Sequence, residues 1–126
     1  MMPPPMRLFA LRGANTVESN TSADILGATE TLMKEILQRN ELRTEDVVSC
    51  IFTVTDDLDA DFPAVAARQL GFDQVPLMCA REIPVPGALP MVVRVLMHYY
   101  AEPGHHAKHV YLGEAQRLRQ DLESAQ

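Results

Sequence analysis

The sequence predicts one α+β domain, a mixed sheet of five strands with two helices over one face, in the order β-α-β-α-β-β-β. Three observations predict it. Ile25, Thr29, Leu32, Met33, Ile36 and Leu37 recur at helical spacing with Lys34, Glu35 and Arg39 on the opposite side. Two stretches, 47–55 and 91–100, are dominated by β-branched and aromatic residues. The chain has 126 residues, enough for one core and too few for two ordinary ones. Two helices cover only one face of such a sheet, so its other face calls for cover, which self-association would supply.

Taken in order, Met1 to Pro5 holds three consecutive prolines that cannot donate backbone hydrogen bonds, and reads as an extended leader, residues 1–5. The folded domain is expected over 6–122, with a polar tail at 123–126. Arg7 to Ala14 (RLFALRGA) alternates imperfectly and ends beside Gly13, as a strand would. Thr21 or Ser22 caps a helix running to about Asn40. Val47 to Thr55 (VVSCIFTVT) is apolar nearly throughout, as in a central strand buried on both faces. An acidic loop, Asp57, Asp59 and Asp61, is expected to cap the following helix, which starts at Pro63 and stops at Gly71. Gln74 to Ala80 reads as the third strand, and Pro84, Pro86, Gly87 and Pro90 punctuate a loop. Met91 to Tyr100 fits helix or strand by pattern; its valines and tyrosines select strand. Pro103-Gly104 ends it, His109 to Leu112 forms a last short strand, and Gly113 to Leu118 suits one helical turn.

Composition excludes several classes of partner. Hydrophobic residues make up 47% and charged residues 22%, as in ordinary globular chains. No apolar stretch approaches the roughly 20 residues of a membrane span, and the N-terminus has neither the basic head nor the apolar run of a secretory signal. Cys50 and Cys79 sit in apolar runs, which suits reduced thiols. Together these point to a cytoplasmic protein. The net charge of −6 argues against nucleic acid, whose phosphates need a basic face, but leaves room for a small anion held by a local arginine cluster.

Common catalytic motifs are missing. Asp57, Asp59 and Asp61 imitate the start of a calcium loop, yet its glycine and glutamate positions hold Phe62 and Arg68. His105, His106 and His109 follow Pro103-Gly104 in a loop, and no cysteine or carboxylate pattern completes a zinc set. Gly13 and Gly71 are isolated, so no phosphate-cradling loop is present, and there is no G-x-S-x-G. What remains is charge in apolar surroundings. Arg12 ends an apolar strand, Arg94 interrupts Met91-Val92-Val93 and Val95-Leu96-Met97, and Glu82 follows Cys79 by three residues. Buried charges of this kind cost several kcal/mol unless paired or bound to ligand. They form either an Arg94–Glu82 salt bridge between strands, or an anion pocket in which Arg12 and Arg94 meet a carboxylate or ether oxygen and Glu82 accepts a hydroxyl.

Five segments carry a resemblance. They are Arg12-Gly13-Ala14-Asn15-Thr16-Val17-Glu18 with Thr21; Thr55-Asp56-Asp57-Leu58 with Phe62-Pro63-Ala64 and Arg68; Val75 to Glu82 (VPLMCARE); Arg94-Val95-Leu96-Met97; and His109-Val110-Tyr111-Leu112 with Ala115, Leu118-Arg119 and Asp121-Leu122. In this order and at these separations, they resemble the trimeric α/β chorismate mutases, as distinct from the all-helical ones, over roughly Leu11 to Leu122. The resemblance implies a pseudo-barrel homotrimer with a cleft between each pair of subunits. One subunit would supply Arg12, Cys79, Glu82, Arg94 and Tyr111, and its neighbour Phe62, Ala64 and Arg68. Leu118 and Arg119 would fold over the site. The sequence departs from the pattern at Val65, where the family often carries a lysine, and Arg81 is more basic than expected there. Without that lysine, substrate affinity falls or more of the steering passes to Arg68 and Arg119.

The implied reaction is the rearrangement of chorismate to prephenate, on the way to phenylalanine and tyrosine. It is an intramolecular [3,3] shift that needs no proton transfer, covalent intermediate or cofactor, in keeping with the missing nucleophile motifs. Arg94 would face the ether oxygen, Arg12 and Tyr111 the side-chain carboxylate, and Glu82 with the Cys79 backbone or thiol the ring hydroxyl. Phe62, Ala64 and Leu118 would wall out water. Two rivals are an enamine or imine deaminase, also a small α/β trimer with an interfacial arginine, and a non-enzymatic trimer that binds a small carboxylate. The first lacks the Arg-Gly-Ala-x-Thr-Val-Glu opening, and the second has no use for a carboxylate facing a hydroxyl.

Overall fold

A computed structural model describes residues 5–118; most of the leader, Arg119, Asp121, Leu122 and the polar tail lie outside the described residues. The elements are β1 (Arg7–Thr16), α1 (Ser22–Arg39), β2 (Val47–Val54), α2 (Ala64–Gln69), β3 (Leu77–Arg81), β4 (Val92–Ala101) and β5 (Val110–Tyr111). This is the expected β-α-β-α-β-β-β order. The strands form one mixed sheet in the order β3-β2-β4-β1-β5. β4 is antiparallel to both β1 and β2, while β3 and β5 pair parallel with β2 and β1 at the two edges.

Both helices cover one face of this sheet. The Thr21 hydroxyl accepts from the Asp24 N–H and caps α1, satisfying one of the orphan donors of its first turn. Ile25, Leu32, Met33 and Ile36 of α1 are fully buried, as the periodicity predicts. Leu32, Met33 and Ile36 pack with Ala64 and Ala67 of α2 against Leu11, Phe52, Val95 and Met97 of the sheet. Gly13 lets α1 approach: a Cβ there would stand 2.8 Å from Ile36 Cδ1 and 3.1 Å from Leu32 Cδ1.

Three expectations need correction. β2 is buried on one face only; Cys50 and Phe52 are buried, whereas Val48 and Ile51 are exposed. Its β-branched run suits a pleated surface and says nothing of whether both faces are covered within one chain. β3 begins at Leu77 rather than Gln74, because the Val75 N–H closes a turn onto the Phe72 carbonyl and Pro76 has no N–H to offer; Pro76 contributes its carbonyl to the Cys50 N–H instead. The acidic loop does not cap α2, whose N-cap is Pro63 with no side-chain hydrogen bond. Its carboxylates are used elsewhere. Asp61 accepts from Ser22 Oγ at 2.6 Å, Asp59 from Asn20 Nδ2 at 2.7 Å, and Asp57 from the Met91 N–H, where the chain turns with φ 57. The Ser22 and Phe62 hydrogen bonds hold the Asp61 carboxyl below its ordinary range.

Candidate active site

Alternation along the strands assigns each side chain to a face. Arg94 pairs with Ala14 on β1 and Thr53 on β2, and Arg12 pairs with Leu96, so Arg12, Arg94, Leu96 and Thr53 share the face away from the helices. Glu82 lies one residue beyond β3, and its N–H donates to the Val54 carbonyl at 2.8 Å, which brings its side chain beside Thr53. Tyr111 is placed by β5, whose register sets it opposite Ala14.

These residues enclose a cavity of about 590 Å³ lined by Arg12, Glu82, Arg94, Tyr111 and Leu118, together with Ile51, Thr53 and Leu96. The volume is that of a small-molecule site. Of the sequence-predicted residues, Arg12, Glu82, Arg94, Tyr111 and Leu118 come together there. Cys79 does not line it. It pairs with Phe52 and packs against the core on the helix side, so of its two expected contributions the thiol is turned away and the backbone remains. Phe62, Ala64 and Arg68 are likewise absent from this cavity. Phe62 is 68% exposed on the loop before α2, while Ala64 is the buried first residue of that helix. Arg119 lies outside the described residues.

Of the two alternatives for the buried charges, the ion pair is seen directly. Arg94 Nη1 stands 3.3 Å from Glu82 Oε1, so the salt bridge is present. Both side chains remain 30% exposed and line the cavity, so neither charge is sealed in the core. Thr53 Oγ1 donates to the same Glu82 oxygen at 2.6 Å. Sequence reasoning missed Thr53; its only signal was a hydroxyl within a run of apolar strand residues. Arg12 is fixed through its backbone, whose N–H donates to His109 Nδ1 at 2.9 Å. That bond requires His109 to keep its Nδ1 lone pair. His105 Nε2 lies 2.7 Å from the Tyr99 hydroxyl and its ring packs on Phe9. Among the described residues no group of three or more His, Cys, Asp or Glu is placed to hold a metal ion.

Two guanidinium groups, a phenol and one carboxylate line an apolar-walled cavity of small-molecule size on the sheet of an α+β protein. Residues 8–122 match the family described as chorismate mutase type I. A chorismate mutase AroH of Thermus thermophilus is 52% identical over 118 residues, covering 92% of this chain and 97% of its own. That of Bacillus subtilis (strain 168) is 40% identical over 119 residues, covering 93% and 94%. The solved chorismate mutase from Clostridium thermocellum superposes with a TM-score of 0.82 at 46% identity, over 86% of this chain and 98% of that one. The chain belongs to the type I chorismate mutases, which are isomerases.

Proposed function

We propose that the cavity between β1, β2, β4 and β5 binds chorismate and converts it to prephenate, feeding phenylalanine and tyrosine synthesis. The convergence of Arg12, Glu82, Arg94 and Tyr111 from distant parts of the chain on one cavity carries this reading. The substrate is a dianion whose ether C–O bond breaks as a C–C bond forms. The site must hold its compact, chair-like form and stabilise the negative charge that grows on the ether oxygen. Arg94 presents a permanently charged fork to that oxygen. Arg12 and Tyr111 bind the side-chain carboxylate. Glu82 and the Cys79 backbone hold the ring hydroxyl; Glu82 acts by orientation and by facing the positive ring fragment, not as a base. The shift is intramolecular, so its chemistry asks for no cofactor.

The working unit in this reading is a homotrimer, with Phe62, Ala64 and Arg68 of a neighbouring subunit completing each cleft and Leu118 closing over it. The face of the sheet away from the helices supports self-association, because Leu8, Ile51, Met78 and Tyr100 all lie exposed on it. No described helix is long and apolar enough to cross a membrane, and Cys50 and Cys79 are unpaired, which supports a reducing, cytoplasmic setting.

Incubation with chorismate tests the reading. Prephenate is an isomer, so the product keeps the substrate's mass while the diene absorbance disappears. Chorismate that decays only at its spontaneous rate in the presence of folded protein contradicts it.

A further inference from the structure

Thr53 sits at the meeting point of the site's opposed charges. It is the direct cross-strand partner of Arg94, and on its other side it pairs with Ala80, two residues before Glu82. Its hydroxyl donates at 2.6 Å to Glu82 Oε1, the oxygen that also receives Arg94 Nη1 at 3.3 Å. All three side chains line the cavity. The neutral contact is thus the shorter of the two, and among the described residues no other hydrogen bond reaches the Glu82 carboxylate.

An arginine and a carboxylate left to themselves favour the bidentate arrangement, with two parallel N–H···O bonds. That arrangement would turn both Glu82 oxygens and two of the five Arg94 donors toward each other, leaving fewer of each for an incoming anion. We infer that Thr53 is a positioning residue of this site: its hydroxyl holds Glu82 by one oxygen and keeps the carboxylate from closing bidentately on Arg94. Arg94 then keeps donors free for the substrate, and Glu82 keeps an oxygen free for the ring hydroxyl. The inference rests on the functional reading above, since it concerns what Arg94 and Glu82 are free to bind.

The test is a set of variants assayed with chorismate, each checked for folding by its thermal transition. Thr53→Val keeps the β-branched shape that suits a strand and removes only the hydrogen-bond donor. Thr53→Ser keeps the donor. In the free enzyme of Thr53→Val, substrate must compete with a closed ion pair, so KM should rise at least about tenfold while kcat changes less than about threefold. Thr53→Ser should restore KM to within about twofold, because its hydroxyl reaches the same oxygen. In a Glu82→Gln background no closed ion pair can form, and Thr53→Val should leave KM where that background has it, as expected for two residues that act through one contact. An unchanged KM in Thr53→Val overturns the inference, as does a Thr53→Ser enzyme as weak as Thr53→Val. The same KM increase in the Glu82→Gln background also overturns it, since Thr53 would then act through packing and not through the carboxylate. An unmodified protein that leaves chorismate untouched overturns the functional reading and this inference with it. An active one in which Thr53→Val is indistinguishable overturns the inference alone.

Discussion

Arg94 and Glu82 meet at 3.3 Å with 30% of each side chain still exposed. A pair this open is worth at most about 1 kcal/mol to folding, because water and ions screen it and both long side chains lose freedom in forming it. Its geometry therefore matters more to the site than to the fold. Arg94→Lys keeps a cation beside Glu82 but gives up the planar fork. Its unfolding free energy should stay within about 1 kcal/mol of the parent by denaturant titration. Its turnover of chorismate should fall at least about tenfold, because three ammonium donors do not reproduce the planar fork that the proposed role of Arg94 requires. A lysine variant as fast as the parent would remove the need for a fork.

The contact between β1 and α1 leaves little room for a side chain at Gly13. Gly13→Ala would bring a Cβ within 2.8 Å of Ile36 Cδ1 and 3.1 Å of Leu32 Cδ1, the movable ends of their side chains, with the Val110 carbonyl 3.3 Å away. Overpacking of this kind costs about 1–3 kcal/mol, toward the lower end where a methyl tip can turn aside. Ile36→Val removes that methyl. The double variant Gly13→Ala with Ile36→Val should be less destabilised than the sum of the two single changes, read by denaturant titration as a coupling of about 0.5 kcal/mol or more. Simple additivity would place the strain elsewhere.

Burial pushes the Cys50 thiol up to about 12. A native-state value above that of the unfolded chain makes a contribution to stability that is whole below about pH 8.5 and is lost as pH rises toward the folded value. It also leaves no thiolate to react at moderate pH. Iodoacetamide at pH 8.5 should leave Cys50 unmodified in the native protein and alkylate it in denaturant, as read by peptide mass. Native labelling at Cys50 would contradict its place in the core.

Leu8 and Tyr100 are cross-strand partners on the open face of the sheet, far along the strands from Arg94, and about half of each is exposed. If that face joins three copies, Leu8→Glu places a charge in each interface. Sedimentation should then show a smaller species than the parent, with activity that falls on dilution because each cleft needs its neighbour. A variant of unchanged mass and activity would move the interface off this face.

Most of the fold was legible because its signals are local. Helical spacing from Ile25 to Leu37 and the Thr21 cap defined α1, and valine-rich runs defined β2 and β4. Residue types put the start of β3 three residues early, because a turn closed by the Val75 N–H cannot be told from an extended start by residue type. The acidic loop looked like a cap, but its partners Ser22, Asn20 and Met91 are distant in sequence, and only the fold brings them near. In the site, Arg12, Glu82 and Arg94 stood out because charge in apolar surroundings is unusual. Thr53 did not, because a threonine in a strand is ordinary until its register with Arg94 is known. The direction of the Cys79 thiol was hidden for the same reason.

The most direct test of the account compares the parent enzyme with Arg94→Ala in the conversion of chorismate, following the diene absorbance in chelator-treated protein with folding confirmed by circular dichroism. The parent should form prephenate saturably, with or without the chelator. In the variant, turnover should fall by roughly a hundred- to a thousand-fold, the cost of about 2.7–4 kcal/mol for losing a preorganised donor to a developing oxyanion, while the fold persists. A folded variant that turns over chorismate at the parent rate, or a parent no faster than the spontaneous reaction, would contradict it.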